Sequence, residues 1–323
     1  MPGKIQAGAA RSMIAAVLLA LWSPAAAEDF PAGRPIEMTV LFGAGSAADV
    51  IARQLADGMS KQLATAVVVV NRTGAGGAAG YTHVAQQRPD GYAIIWNSNS
   101  ISTNYHSGIL PFDYRAFDPV ARVAVETPVI AVRADARWHT LNELLAYAAA
   151  NPGKVRVGNS GVGSHTHFAA TALFSTVHAK EIEVPFGQGQ AVVNLLGGRI
   201  EATVQLPAAV LAHVKSNDLR VLASLGSRRD PAFPDVPTAQ ELGYPVALDM
   251  WRGIAVPKGT PPPVIARLEA AIRATVESPE FAAAGKSIGF TPAFLPADDF
   301  GRLIASDDTR LGAVMAQLGL KKQ

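Results

Sequence analysis

Two stretches of the chain combine small residues, hydroxyls and a helix start in a way that can hold an anion. In the first, the apolar run Met38 to Phe42 breaks into Gly43-Ala44-Gly45-Ser46-Ala47-Ala48, and Asp49 opens an alanine-rich helical pattern that runs to about Leu63. A strand, a glycine turn and a helix N-terminus in that order leave the first helical N–H groups unpaired. The helix dipole adds partial positive charge where they point. In the second, Gly158-Asn159-Ser160-Gly161-Val162-Gly163-Ser164-His165 ends at a serine able to cap the next helix, with His165 and His167 in its first turn. Together they can form two helix N-termini that face each other across a cleft; taken singly, each can be an ordinary capped turn.

The residue types narrow the chemistry. The first loop matches G-x-G-x-x-A, so a dinucleotide is a candidate beside phosphate and a free carboxylate. The acid expected roughly 20 residues further on to hold a ribose hydroxyl is missing, since the next strand ends at Asn71. In the second loop Ser160 or Ser164 could serve as a nucleophile with a histidine, but the G-x-S-x-G elbow is absent and no acid is spaced to orient either imidazole. His165 and His167, two apart on a predicted helix, point to different faces, and the seven histidines are otherwise scattered, which disfavours a metal site. No catalytic residue, metal or cofactor is expected. Gln188 to Gln190 begin another helix after Pro185-Phe186, and Gln205 ends a predicted strand; both can add uncharged donors. Asp49 reads as a cap or loop brace, since an unpaired carboxylate would repel an anion. Trp96 and Trp251 read as core or lobe-packing residues.

These loops need a scaffold, and the patterning supplies one. Ala66 to Val70 reads as a buried parallel strand, Gly74 to Gly77 as a second glycine cluster leading into a helix over about 78–87, and Tyr92 to Trp96 as the next strand, running into Asn97-Ser98-Asn99-Ser100. This alternation predicts a parallel sheet covered by helices, with Gly43 to Asp49 and Asn97 to Ser100 on the rim where the strands end. Two β-rich runs between Asp118 and Val132 flank Glu126-Thr127-Pro128. Beyond them the alternation restarts, with helices predicted over 141–150, 164–174, about 190–196 and 208–214, and strands over 155–158, 182–184, 202–205 and 220–224. Val246 to Val256 returns as an extended run, prolines start a helix over 264–276, and the tail over 298–318 is helical. Two α/β units joined near Thr127 and again near Trp251 suggest a clamshell with a double crossover and a ligand cleft between the lobes.

With 323 residues, 49% of them hydrophobic, two cores of ordinary size are expected. Residues 1–27 belong to neither. Lys4 and Arg11 precede the apolar run Met13 to Trp22, and Ala25-Ala26-Ala27 fits a cleavage site, so this is read as a secretory signal peptide. The run falls short of the roughly 18 to 20 residues a bilayer-spanning helix needs. Removing the two basic residues of this segment from the 28 basic and 26 acidic residues leaves 26 of each, which argues against nucleic-acid binding. With zero cysteines there can be no disulfide, thiolate metal site or lipid-modified cysteine. The expected location is the periplasm, as a soluble protein.

The stretches FGAGSAAD, VVVVNRTGAGGAAG, RPDGYAIIW, GNSGVGSHTHFA, VPFGQGQAVVNLLGGRIEA and WRGIAVPKGTPPPVI follow one another across nearly the whole chain beyond the leader. In that order it resembles the Bug family of periplasmic solute-binding proteins, the TctC-like binding components of tripartite tricarboxylate transporters; NRTGAGG with RPDGY is a specific pair. The resemblance implies an α/β, two-lobed periplasmic-binding-protein fold of type II. Each lobe is expected to be a mainly parallel sheet flanked by helices, with residues 28–127 and 252–323 in lobe 1, residues 128–251 in lobe 2 and a double-crossover hinge. It also implies no enzymatic activity, a monomer, and a small organic acid as cargo (tricarboxylate, dicarboxylate, acidic amino acid, or aromatic carboxylate such as phthalate or nicotinate), handed transiently to membrane permease subunits. A sensor for a membrane kinase would share fold and site, and an exported hydrolase is the remaining alternative. Mapped onto this sequence, the family's carboxylate-holding loops correspond to Phe42, Gly45, Ser46, Ala47 and Asp49; Ser98 and Asn99; Thr127; Ser160, Gly161, Ser164 and His165; and Phe186 and Gln188. Gln205 stands where the family commonly has Asp, Phe186-Gly187 replaces a frequent Tyr-Lys, and Gly45-Ser46 a frequent Gly-Gly. Losing an Asp and a Lys implies a less charged distal pocket, suited to an aromatic or monoanionic tail.

Overall fold

The structure, a computed structural model, describes residues 30–186 and 190–320. The expected leader at 1–27 and the candidate Gln188 lie outside the described residues.

The first lobe starts from β1 (Ile36–Val40), whose Ile36, Met38 and Val40 are fully buried. β2 (Val67–Asn71) and β3 (Ala93–Ser98) flank it in parallel, with Met38 opposite both Val69 and Ile94. Parallel neighbours need crossovers, and α1 (Ala47–Leu63) and α2 (Ala78–Ala85) provide them. In α1, Ile51, Leu55, Ala56, Met59 and Leu63 recur at helical spacing and face the core; the helix ends at Ala64 in the left-handed conformation. The short α3 (Ser100–His106) leads to β4 (Phe117–Glu126).

The chain then crosses at Thr127-Pro128 into the second lobe: β5 (Val129–Arg133), α4 (Leu141–Ala150), β6 (Arg156–Asn159), α5 (His165–Ser175), β7 (Ile182–Pro185), α6 (Ala191–Leu196), β8 (Ala202–Gln205), α7 (Pro207–Lys215) and β9 (Leu219–Ser224). It returns through β10 (Met250–Pro257) and finishes with α8 (Pro262–Val276), α9 (Pro279–Ile288), β11 (Thr291–Pro296) and α10 (Ala297–Gln317).

The strand orders are β11-β4-β10-β3-β1-β2 in one sheet and β7-β6-β8-β5-β9 in the other. Both sheets are mixed rather than mainly parallel. The alternating βα segments give parallel pairs, whereas β4, β5, β9 and β10, which carry the chain between the lobes, pair antiparallel because each runs back along the sheet it joins. Each sheet has its own apolar core, the first around Trp96, Ile254 and Leu268, the second around Val157, Phe168 and Leu173. The tail helix belongs to both: Phe300 and Ile304 pack in the first core, Leu311 and Met315 in the second. Its apolar stripe is long enough to cover the seam, so the tail is not confined to lobe 1. Among the described residues no helix is long and apolar enough to cross a membrane.

Candidate ligand-binding cleft

In lobe 1 the strand–turn–helix at β1 and α1 is capped by Ser46 rather than Asp49. Ser46 is extended, and its hydroxyl accepts from the Asp49 N–H at 3.3 Å. Asp49 sits in the first turn, 3% exposed, and faces away from the cleft. Its carboxylate accepts from Gly45 N (3.0 Å), Arg53 Nε and Nη2 (3.1 and 2.9 Å) and Asn71 Nδ2 (2.9 Å), while Asn71 also donates to the Phe42 carbonyl (2.8 Å). Burial raises the Asp49 pKa, but the Arg53, Gly45 and Asn71 hydrogen bonds outweigh it and hold the carboxyl below its ordinary value. The brace therefore consumes the Gly45 N–H, while Ala47 and Ala48, whose first-turn N–H groups have no partner inside the helix, line the cleft.

Lobe 2 repeats the device. Ser164 caps α5 by accepting from His167 N at 3.2 Å, Thr166 Oγ1 accepts from Ser160 N (2.9 Å), and Asn159 Oδ1 accepts from Gly161 N (2.9 Å). His165 is fully buried; burial lowers its pKa to about 4, against a Leu248 carbonyl that favours the charged form. The neutral ring donates from Nε2 to that carbonyl at 3.1 Å. His167 is used at both nitrogens, Nδ1 accepting from Gly163 N at 3.2 Å and Nε2 bonded to Glu183.

The two loops are brought together by α3 and the second glycine cluster. Thr103 Oγ1 donates to the Gly163 carbonyl (2.6 Å), Asn104 Nδ2 donates to the carbonyls of Gly163 (3.3 Å) and Gly76 (3.0 Å), and Ser100 Oγ accepts from His165 N (3.3 Å). Gly76, at φ 62°, lies so close to the lobe 2 loop that a Cβ there would be 2.3 Å from the Val162 carbonyl oxygen and 2.6 Å from Ser164 N. The cluster is thus an inter-lobe seat.

Between the lobes lies a deep chamber of about 20 Å³ lined by Phe42, Ser46, Ala47, Ala48, Ser100, Ser160, Ser164, His165, Thr166, Gln205, Leu206, Met250 and Arg252. A mouth of about 150 Å³ shares Phe42, Ser46, Ser160 and Gln205 with it and adds Gly45, Val192, Val193, Ala209 and His213. The Ser160 hydroxyl donates to Gln205 Oε1 at 3.3 Å. At the floor, Arg252 Nε donates to Glu126 Oε2 at 2.8 Å; both side chains are essentially inaccessible.

Of the residues expected at the site, Phe42, Gly45, Ser46, Ala47, Ser160, Ser164, His165 and Gln205 line these cavities, and Gly161 supports their loop. The others have different surroundings. Asn99 is a hinge brace, its Oδ1 accepting from Trp251 N (2.8 Å) and its Nδ2 donating to Asp307 Oδ2 (2.8 Å). Ser98 is buried beneath it, its Oγ accepting from Ser100 N. Thr127 lines a groove on the back of the hinge, with Trp251 and Asp307. Phe186 packs under the lobe 2 loop, its ring 3.3 Å from where a Cβ on Gly158 would stand. Arg252, Met250 and the Val192–Val193 wall were missed. An arginine inside the apolar run Val246 to Val256 was the available signal, since a charge in a buried strand demands a partner.

Among the described residues no serine hydroxyl is hydrogen-bonded to an imidazole nitrogen, and no group of acids and histidines is placed to hold a metal. A sequence model of the tripartite tricarboxylate transporter family receptor, TctC, matches residues 51–320. The chain is 35% identical to protein BugT of Bordetella pertussis over 306 residues, 93% of each chain. It superposes on the periplasmic binding protein BugD with a TM-score of 0.85 at 29% identity, over 90% of this chain and 99% of that one. MatC of Rhodopseudomonas palustris, solved with malate bound, superposes with a TM-score of 0.82 at 25% identity, over 87% of this chain and 98% of that one.

Proposed function

Because the chain belongs to the TctC, or Bug, family of tripartite tricarboxylate transporter receptors, we propose that it is a periplasmic solute-binding protein for a small organic carboxylate with an uncharged tail. It captures this acid by lobe closure, as a monomer exported by residues 1–27, and delivers it to a membrane permease without chemical turnover. What supports this is the meeting of two serine-capped helix N-termini, one from each lobe, in a single chamber. Unpaired N–H groups at such termini favour an anionic head group. Among the described residues the mouth beyond has no acid, lysine or arginine in its lining: Phe42, Val192, Val193 and Ala209 wall it beside the neutral Gln205 and a single histidine, His213, which favours a tail without a second carboxylate in need of a pairing cation.

A chamber of about 20 Å³ is room for a water and little more, so an acid enters as the lobes part and is enclosed as they return. A ligand touching Ala47 and Ala48 on one side and Ser164 on the other binds the closed form better and shifts the population toward it. About 5.5 kcal/mol of differential affinity takes such an equilibrium from 1:99 to 99:1, within reach of a few charge-assisted hydrogen bonds of about 1.5–3 kcal/mol each.

Titration calorimetry of the protein lacking the leader against malate, adipate, citrate, benzoate and nicotinate tests this. Benzoate or nicotinate is expected to bind more tightly than citrate; silence across the panel together with hydrolysis of a simple ester would overturn the proposal.

A further inference from the structure

The floor of the cleft carries an ion pair that the helix termini do not explain. Arg252 lines the deep chamber while only 2% exposed, and its Nε is engaged by Glu126. Two atoms of this pair, Arg252 Nη1 and Glu126 Oε1, are buried without a hydrogen-bond partner in the protein. A half-satisfied buried pair is costly, because a charged donor withdrawn from water normally needs all its hydrogen bonds. The β10–β4 ladder also slips between Arg252 and Gly253, the kind of bulge that re-aims a side chain next to a site. A guanidinium presents five N–H donors in a planar fork, and a carboxylate is the group whose geometry matches it.

We propose that Arg252 holds the ligand's carboxylate through the donors that Glu126 leaves free, and that Glu126 competes for the same guanidinium and thereby sets how much negative charge the floor accepts. The charges support one head group only. Among the described residues Arg252 is the one formally charged side chain lining the chamber and Glu126 behind it offsets that charge, so the two helix N-termini, roughly half a positive charge each, leave room for one carboxylate that a second would exceed. The ligand class is accordingly a monocarboxylate head on an uncharged tail. Burial also pushes the Glu126 carboxyl up against the pull of Arg252, which weakens it as a competitor when an acid arrives.

This assignment rests on the cleft being a carboxylate site, and the test separates the two. Calorimetry with benzoate and with benzamide is run on the parent protein, on Glu126→Gln, and on Arg252→Gln/Glu126→Gln, which removes both charges and leaves no orphaned ion. The parent is expected to prefer benzoate over benzamide by at least about tenfold. Glu126→Gln should tighten benzoate by a few fold with benzamide unmoved, and the double variant should weaken benzoate by about tenfold or more, so that the preference collapses. A pair that only props the fold would shift both ligands together and in the same direction in both variants, and that outcome overturns the assignment while leaving the carboxylate cleft standing. If the double variant does not fold, the opposite sign expected for Glu126→Gln still decides. Binding of malate or citrate in preference to benzoate overturns the monocarboxylate class, and a parent protein that binds none of the acids overturns the function itself.

Discussion

The N-termini of α1 and α5 are close to superimposable as local structures and differ in what supports them. Ser46 has φ −68° and ψ 159°, Ser164 φ −70° and ψ 157°, and each hydroxyl accepts from the N–H three residues on. Around Ser46 the support is internal to lobe 1: Asp49, Arg53 and Asn71 tie helix, loop and strand β2 together. Around Ser164 much of it is borrowed, with Ser100, Thr103 and Asn104 reaching across from lobe 1 to hold Gly163 and His165. The lobe 1 cap is thus preformed within its own lobe, whereas the loop around the lobe 2 cap is also held from across the cleft. Under the proposed lobe closure, an anion docks on lobe 1 first and recruits lobe 2 afterwards.

The contrast can be broken most severely at the seat. In Gly76→Ala, a Cβ driven into the Val162 carbonyl and the Ser164 N–H should keep the lobes from meeting, weakening acid binding by about 100-fold, roughly 3 kcal/mol. Gly45→Ala on the preformed side, also at positive φ but with nothing within 4 Å of the added atom, should do much less. Equal losses in calorimetry would mean that the seat is not what closure depends on.

Acid should separate the two halves. His165 has its folded pKa lowered to about 4 from 6.5, so its stabilising contribution is complete above pH 6.5 and fades as pH falls toward 4, by roughly 3 kcal/mol in all. The Asp49 carboxyl is also depressed but from 3.8, so the lobe 1 brace persists until pH drops below the ordinary carboxylate range. Urea midpoints measured across pH should show the first decline flattened in His165→Gln and the second in Asp49→Asn. A His165→Gln profile parallel to the parent would remove the histidine from the account.

The finest comparison is between the caps themselves. Ser46→Ala and Ser164→Ala should each cost about 1 kcal/mol of stability, since geometry and role are matched. Thermal denaturation of the two variants side by side checks this, and a gap wider than the cap energy itself would show that the surroundings, rather than the hydroxyl, dominate.

Much of this cleft was legible because its two halves are local. A β-run, a glycine turn and a serine before an alanine-rich helix announce themselves within a dozen residues, as at Met38 to Leu63. The pairings across the hinge could not be read that way. Asn99 and Thr127 lie at the ends of β3 and β4, as ligand contacts would, yet Asn99 is drawn to Trp251 and Asp307 by partners 152 and 208 residues away. Arg252 was hidden for the same reason, its partner Glu126 being 126 residues distant. α3 escaped notice because Ser-Ile-Ser-Thr-Asn-Tyr-His has weak helix propensity and is held by tertiary contacts. β11, Thr-Pro-Ala-Phe-Leu-Pro, was not anticipated as a strand because its prolines are tolerated only at the sheet edge it occupies.

The seam-crossing helix α10 turns the hinge from two strands into three attachments. Its first turns are anchored by Phe300 and Ile304 on one lobe and its last by Leu311 and Met315 on the other, with Asp307 between them bonded to both Asn99 and Trp251. Three attachments restrict twisting and sideways sliding of the lobes more than two crossing strands alone would. Under the proposed closure, much of the orientational search that two free bodies would have to complete around a small acid has already been spent at folding, so the acid's few hydrogen bonds can go toward holding the lobes together.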